Sequence, residues 1–123
     1  MLRIRRKFNP LKQKVMDKNN QSPFIGQKVI IRANRAGVFF GTLKEKTPTP
    51  AGVEVVLTNS RRIWRWYGAA SLSQMAQEGV KEPDRCMFTV TVPEHNVMDV
   101  IEILPCSDMA IKSIESVKIW KKD

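Results

Sequence analysis

From about residue 27 onward, short apolar runs alternate with polar breaks. KVIIRA is an apolar run between polar residues, and Asn34 to Gly37 is turn chemistry leading into VFFGTLKE, so the two stretches predict a hairpin. KTPTPAG carries Pro48 and Pro50, which remove ladder donors and predict a loop. In VEVVLT, Val53, Val55 and Leu57 alternate with Glu54, Val56 and Thr58. Asn59 and Ser60 then turn the chain into RRIWRWY, giving four consecutive short strands and an antiparallel meander.

Beyond the meander the period changes. Ser71 with Gln74 three places on is a capping box, and LSQMAQE ends at Gly79, which suits the position after a short helix. MFTVTV predicts a strand with Phe88, Val90 and Val92 on its apolar face and Met87, Thr89 and Thr91 outward, the threonine hydroxyls free for solvent or a ligand. PEHNVM is a connection and DVIEIL a further strand. Pro105 and Ser107 introduce a second helix, DMAIKSIESV, with Ile111 and Ile114 on one side, and KIW closes the chain as a short extended segment. The predicted class is α+β, an antiparallel sheet in a meander decorated by two short helices. Residues 27–123 form one domain, and residues 1–26 precede it as a basic, flexible arm.

Charge sharpens that division. The 123 residues carry a formal net charge of +9. In the first twenty residues Arg3, Arg5, Arg6, Lys7, Lys12, Lys14 and Lys18 face Asp17 alone, so most of the excess lies in the arm. Such an arm attracts phosphates without reading sequence, and it also suits a solvated tail. Cys86, Cys106 and the single His95 cannot assemble a zinc set, which excludes a metal site of that kind. No apolar run reaches membrane-spanning length and no h-region follows the basic start, so a cytoplasmic compartment with free thiols is expected, with no membrane partner. A core this small favours subunit association, and a homo-oligomer, dimer or higher, is expected.

Catalytic signatures are missing. A Ser71, His95 and Asp99 trio can be drawn on paper, but neither a nucleophile elbow, a GxGxxG nor a P-loop occurs, and Glu94 and His95 fall in the predicted connection. The chain is read as a binder without cofactor or metal. Its most distinctive stretch is RRIWRWY, where three arginines and three large rings take six of seven positions. In a strand, Arg62, Trp64 and Trp66 share one face and Arg61, Ile63, Arg65 and Tyr67 the other. The rings serve either as core, with arginine stems packed over the sheet, or as stacking surfaces for flat anionic ligands whose phosphates the guanidinium groups hold. The first turn of the helix at Ser71 offers N–H groups to a phosphate, although capping alone explains Ser71 and Gln74. Ser107 marks a second such terminus. Phe88 is core by its alternation, or a pocket floor where the sheet meets a loop.

The stretches SRRIWRWYGAASLSQMAQEGV, CMFTVTV and DVIEILPCSDMAIKSIESVKIW resemble a small phage-encoded family of unknown function, with members related to the Thoeris anti-defence sponge proteins. The resemblance spans residues 27–121 and leaves the arm outside. It implies a protein that degrades nothing and sequesters cyclic ADP-ribose isomers in pockets shared across a dimer interface. Some such proteins also hold cyclic oligonucleotides elsewhere on their surface. Carried over, the resemblance implies ligand roles for Arg61, Arg62, Trp66, Phe88 and Asn96, with Asp99 accepting from a ribose hydroxyl, and a second site at Thr91 and Ser107. Lys112 is the only cation on the second helix, so a family pattern needing several cations there is unmet. The competing expectation is a small basic module that binds nucleic acid through the arm and the arginines of 61–65.

Overall fold

The computed structural model describes residues 23–123. In chain order the elements are strands β1 (Lys28–Ala33), β2 (Gly37–Thr49) and β3 (Gly52–Arg65), helix α1 (Leu72–Glu78), a single 3-10 turn (Pro83–Arg85), strands β4 (Met87–Phe88) and β5 (Val92–Pro105), and helix α2 (Asp108–Glu115). All named strand pairings are antiparallel. The predicted α+β class, an antiparallel sheet with two short helices, is the class observed. Residues 1–22 of the predicted arm lie outside the described residues. Its last four residues pack on the domain instead of trailing from it, with Gly26 N–H donating to Leu43 O at 2.7 Å and Phe24 against the core.

The pairing closes on itself. β1 lies between β2 and β5, and β3 pairs with both β2 and β5, so four strands make a ring and β4 adds to the far end of β3. Inside the ring sit Val29, Ile31, Phe39, Leu43, Val55, Leu57, Val97 and Val100. A second core lies outside it, where Ile30, Phe40 and Ile63 of the strands meet Met75 and Ala76 of α1 and Ala110 and Ile114 of α2, with Phe88 and Val117. Two cores explain why KVIIRA is apolar without a break. Val29 and Ile31 point inward, Ile30 outward, and all three are fully buried.

Four strand assignments differ from the sequence reading. KTPTPAG is not a loop: β2 continues through Pro48, opposite Val53, and turns in two residues between Thr49 and Gly52. Beyond Thr42 β2 has a neighbour on one side only, which lets a residue without an N–H sit in it as on an edge strand. The predicted turn at Asn59 and Ser60 is a bulge inside one continuous β3. Asn59, at φ 50, takes a left-handed conformation that asparagine tolerates, and β3 bows toward Gly41, where a Cβ would meet Ser60 Cα at 3.1 Å. PEHNVM is strand and not a connection, placing Glu94 and His95 in β5. Conversely, MFTVTV is broken: Met87 and Phe88 alone form β4, residues 89–91 leave the ladder, and Val92 opens β5, with Val90 and Val92 exposed.

The helices follow their caps. Ser71 Oγ accepts from Gln74 N–H at 3.1 Å, and Gln74 Oε1 accepts from Ala70 N–H at 2.7 Å, one residue ahead of the expected capping-box partner. Ser107 Oγ accepts from Ala110 N–H at 3.0 Å and donates to Gln77 O at 2.6 Å, so the start of α2 is tied to the end of α1. Ile114 is fully buried and Ile111 packs beside it. Ile119 bridges Phe88 in parallel, so the closing segment is extended, as expected. Among the described residues no helix is long and apolar enough to cross a membrane.

Candidate functional site

The bulge at Asn59 decides where the arginines go. Before it, Val55 and Leu57 face the interior of the ring. The extra residue shifts the alternation, so Ser60 and Arg62 continue that side while Arg61 and Ile63 turn toward the outer core.

Arg61 is therefore buried, at 7% exposure. Its Nε donates to Thr89 O at 2.9 Å, Nη1 to Val117 O at 2.9 Å, and Nη2 to Phe88 O at 3.0 Å and Lys118 O at 3.2 Å. The carbon between them stands 5.5 Å from the centroid of the Phe88 ring. Four carbonyls occupy four of the five guanidinium N–H groups, and no carboxylate pairs with it among the described residues. Burial lowers its pKa, the signature of a cation removed from water without a counter-charge.

A recess of about 250 Å³ opens on this side chain, lined by Phe40, Asn59, Arg61, Thr91, Glu115, Val117 and Ile119. Thr91 has no hydrogen-bond partner among the described residues, which leaves its hydroxyl available to the recess. Glu115 is drawn to Lys28 by an ion pair. An unneutralised buried guanidinium beside a free hydroxyl and an asparagine is chemistry suited to an anion with further polar groups.

Of the residues singled out from the sequence, the structure thus gathers Arg61, Phe88 and Thr91. Arg62 lies on the opposite side of β3, exposed, 4.8 Å over the Phe39 ring. Trp66 packs against the outer core with Nε1 donating to Ala69 O at 3.3 Å. Ser71 and Ser107 are occupied as helix caps. Thr89 is half-buried, and its hydroxyl, expected to be free, accepts from Arg62 N–H at 2.9 Å and donates to Val90 O at 3.3 Å.

Asn96 is exposed opposite Val56, and Asp99, whose Oδ2 accepts from Asn34 Nδ2 at 3.1 Å, neighbours the Val53–Val100 pair. Along β3 those positions lie about 15 and 25 Å from Arg61 at about 3.3 Å per residue. One chain does not bring them to the recess.

The paper trio of Ser71, His95 and Asp99 is dispersed, each with its own partner. His95 Nδ1 instead meets Ser60 Oγ at 3.0 Å, with its ring edge-on to Phe39 at 5.0 Å. Ser60 is fully buried, so that hydroxyl has no route to a substrate. Burial, with a smaller contribution from Arg62, lowers the His95 pKa. The described residues hold no cluster of three or more His, Cys, Asp and Glu placed to bind a metal.

Sequence reasoning missed Asn59 and the 117–120 segment as parts of this region. The signal available for the latter was KIWKK, which repeats the mixture of rings and cations seen in RRIWRWY. The family described as a domain of unknown function (DUF6948) matches residues 26–114. No curated protein and no solved structure matches the chain.

Proposed function

The chain belongs to the DUF6948 family, and we propose that it is a phage anti-defence sponge, a non-catalytic protein that binds a small cyclic nucleotide of the cyclic ADP-ribose type and withholds it. The observation that carries this reading is Arg61, a buried guanidinium without a carboxylate at the floor of an open recess. A phosphate entering there neutralises the charge where the local dielectric is low, and Thr91 and Asn59 are placed to receive its other polar groups.

The recess is smaller than the usual range of about 300–1,000 Å³ for a ligand pocket and is open to solvent. A second copy completes it in this reading. Asn96 and Asp99 cannot meet Arg61 within one chain, and Met98 and Ile101 beside them are 63% and 51% exposed, apolar surface that association would cover. The protein acts, in this proposal, in the cytoplasm of the infected bacterial host and gives its ligand back chemically unchanged.

Native mass spectrometry of the full chain, purified from cells that make cyclic ADP-ribose isomers, tests the proposal. The expected spectrum shows an oligomer carrying an intact nucleotide. A bare monomer, with no heat on calorimetric titration with such an isomer, would refute it, and a hydrolysed nucleotide would replace the sponge by an enzyme.

A further inference from the structure

A different part of the molecule carries its own chemistry. β4 lies between the end of β3 and the closing segment, since Ile63 pairs with Phe88 and Phe88 with Ile119, and Trp120 N–H donates to Phe88 O at 2.9 Å. Trp64 on one flank and Trp120 on the other lean together across β4, their ring centroids 6.4 Å apart and their planes within 10° of parallel. They are 59% and 46% exposed. Two parallel indoles held in water by backbone pairing on both sides are an unusual use of the most costly apolar surface a chain can expose.

The charges around them are equally uneven. Elsewhere five cations, Lys28, Arg32, Lys44, Lys81 and Arg85, each face a glutamate, and Arg35, Lys46 and Lys112 stand singly without an ion-pair partner among the described residues. At this end Arg62, Arg65, Lys118, Lys121 and Lys122 are exposed and none has an ion-pair partner among the described residues. No acidic residue occurs between Glu54 and Glu78 to neutralise the arginines. Trp120, Lys121 and Lys122 themselves line a shallow recess of about 320 Å³.

From this juxtaposition we infer that the Trp64–Trp120 pair and the cations around it form a platform for single-stranded nucleic acid. Bases stack on the indole faces, and the unpaired lysines and arginines follow the phosphates. Both halves of the patch are then used, whereas a second copy of this chain, itself at +9, brings the same cations to the same face. Duplexes offer the cations their phosphates but keep their bases stacked away from the indoles.

Fluorescence anisotropy of the full chain with labelled oligothymidylate and oligouridylate of about 20 nucleotides, and with a duplex of equal length, tests the inference. Single strands are expected to bind more tightly than duplex, to quench tryptophan emission, and to weaken as salt rises from about 50 to 200 mM. Trp120→Ala and Trp120→Leu should each lower affinity roughly 5- to 100-fold with unchanged melting temperature, the leucine keeping apolar bulk but no ring face. Lys121→Ala and Lys122→Ala should each flatten the salt slope by about one.

Unchanged affinity in both Trp120 variants would overturn the inference and leave the amino-terminal cations as the binding element. Equal affinity for duplex would also overturn it. So would self-association in the absence of nucleic acid that Trp120→Ala abolishes, because the patch is then an interface between copies. The cyclic-nucleotide reading is measured with a separate ligand at Arg61, so failure of one is distinguishable from failure of the other.

Discussion

Replacing Arg61 by alanine removes the donor that four main-chain carbonyls share. Two of them, Val117 O and Phe88 O, lie in buried surroundings, while Thr89 O and Lys118 O are partly open. A buried acceptor left without a donor costs about 1–3 kcal/mol, and water can reach the two open ones, so the loss from the buried pair is about 2–6 kcal/mol. Alanine also ends the burial of an unpaired cation, which offsets part of that loss. The net expectation is about 1–4 kcal/mol, seen as a fall in melting temperature of roughly 4–20 °C for a domain of this size. Amides of residues 117–120 should lose protection from hydrogen exchange first, because Arg61 anchors that segment to β3. Arg61→Lys keeps the charge without the planar fork and should fall between. Calorimetry and exchange on the two variants check this. A loss below about 1 kcal/mol in Arg61→Ala would mean that water replaces the guanidinium readily and that Arg61 holds nothing together.

Arg62→Ala should cost no more than about 1 kcal/mol in urea melts, since its contact is a cation over the Phe39 ring at an exposed site. The His95 pKa is depressed in the folded state, so the unfolded chain binds the proton more readily. Stability is therefore full above the unfolded value near 6.5 and falls as pH drops below it, and His95→Gln should flatten that slope in melts across pH 5–8. Burial pushes the Cys106 thiol up to about 12 and raises Cys86 as well, so neither should alkylate at pH 8 until the protein unfolds, as read by intact mass. Gly68→Ala should be among the most damaging single substitutions: φ is +86 and a Cβ would meet Lys81 N at 2.4 Å and Glu82 N at 2.5 Å, both main-chain atoms. A melting temperature within a few degrees of the parent would show that this loop gives way easily.

Short-range chemistry was legible in the sequence. Ser71 and Ser107 cap the helices they were expected to cap, Gly79 ends α1, and 61–65 alternate as a strand requires, because each is settled by residues within one turn or one pleat. The same local logic failed where a distant neighbour decided the outcome. Proline at 48 reads as a loop until β2 is known to have one free side there, and PEHNVM reads as a connection until β3 is laid beside it. Asn59 and Ser60 read as a turn, yet the glycine opposite, at position 41, lets β3 bulge and continue.

That single extra residue carries Arg61 into the outer core and leaves Arg62 outside, a division that alternation announces without saying which arginine is buried. The contact between Trp64 and Trp120 depends on β4 and the closing segment adding side by side, which no spacing in the chain encodes. Sequence fixes what each residue prefers locally. Which surfaces are buried, and which cations are left without a partner, follows only from the closure of the strands, since burial is a property of what lies on the other side.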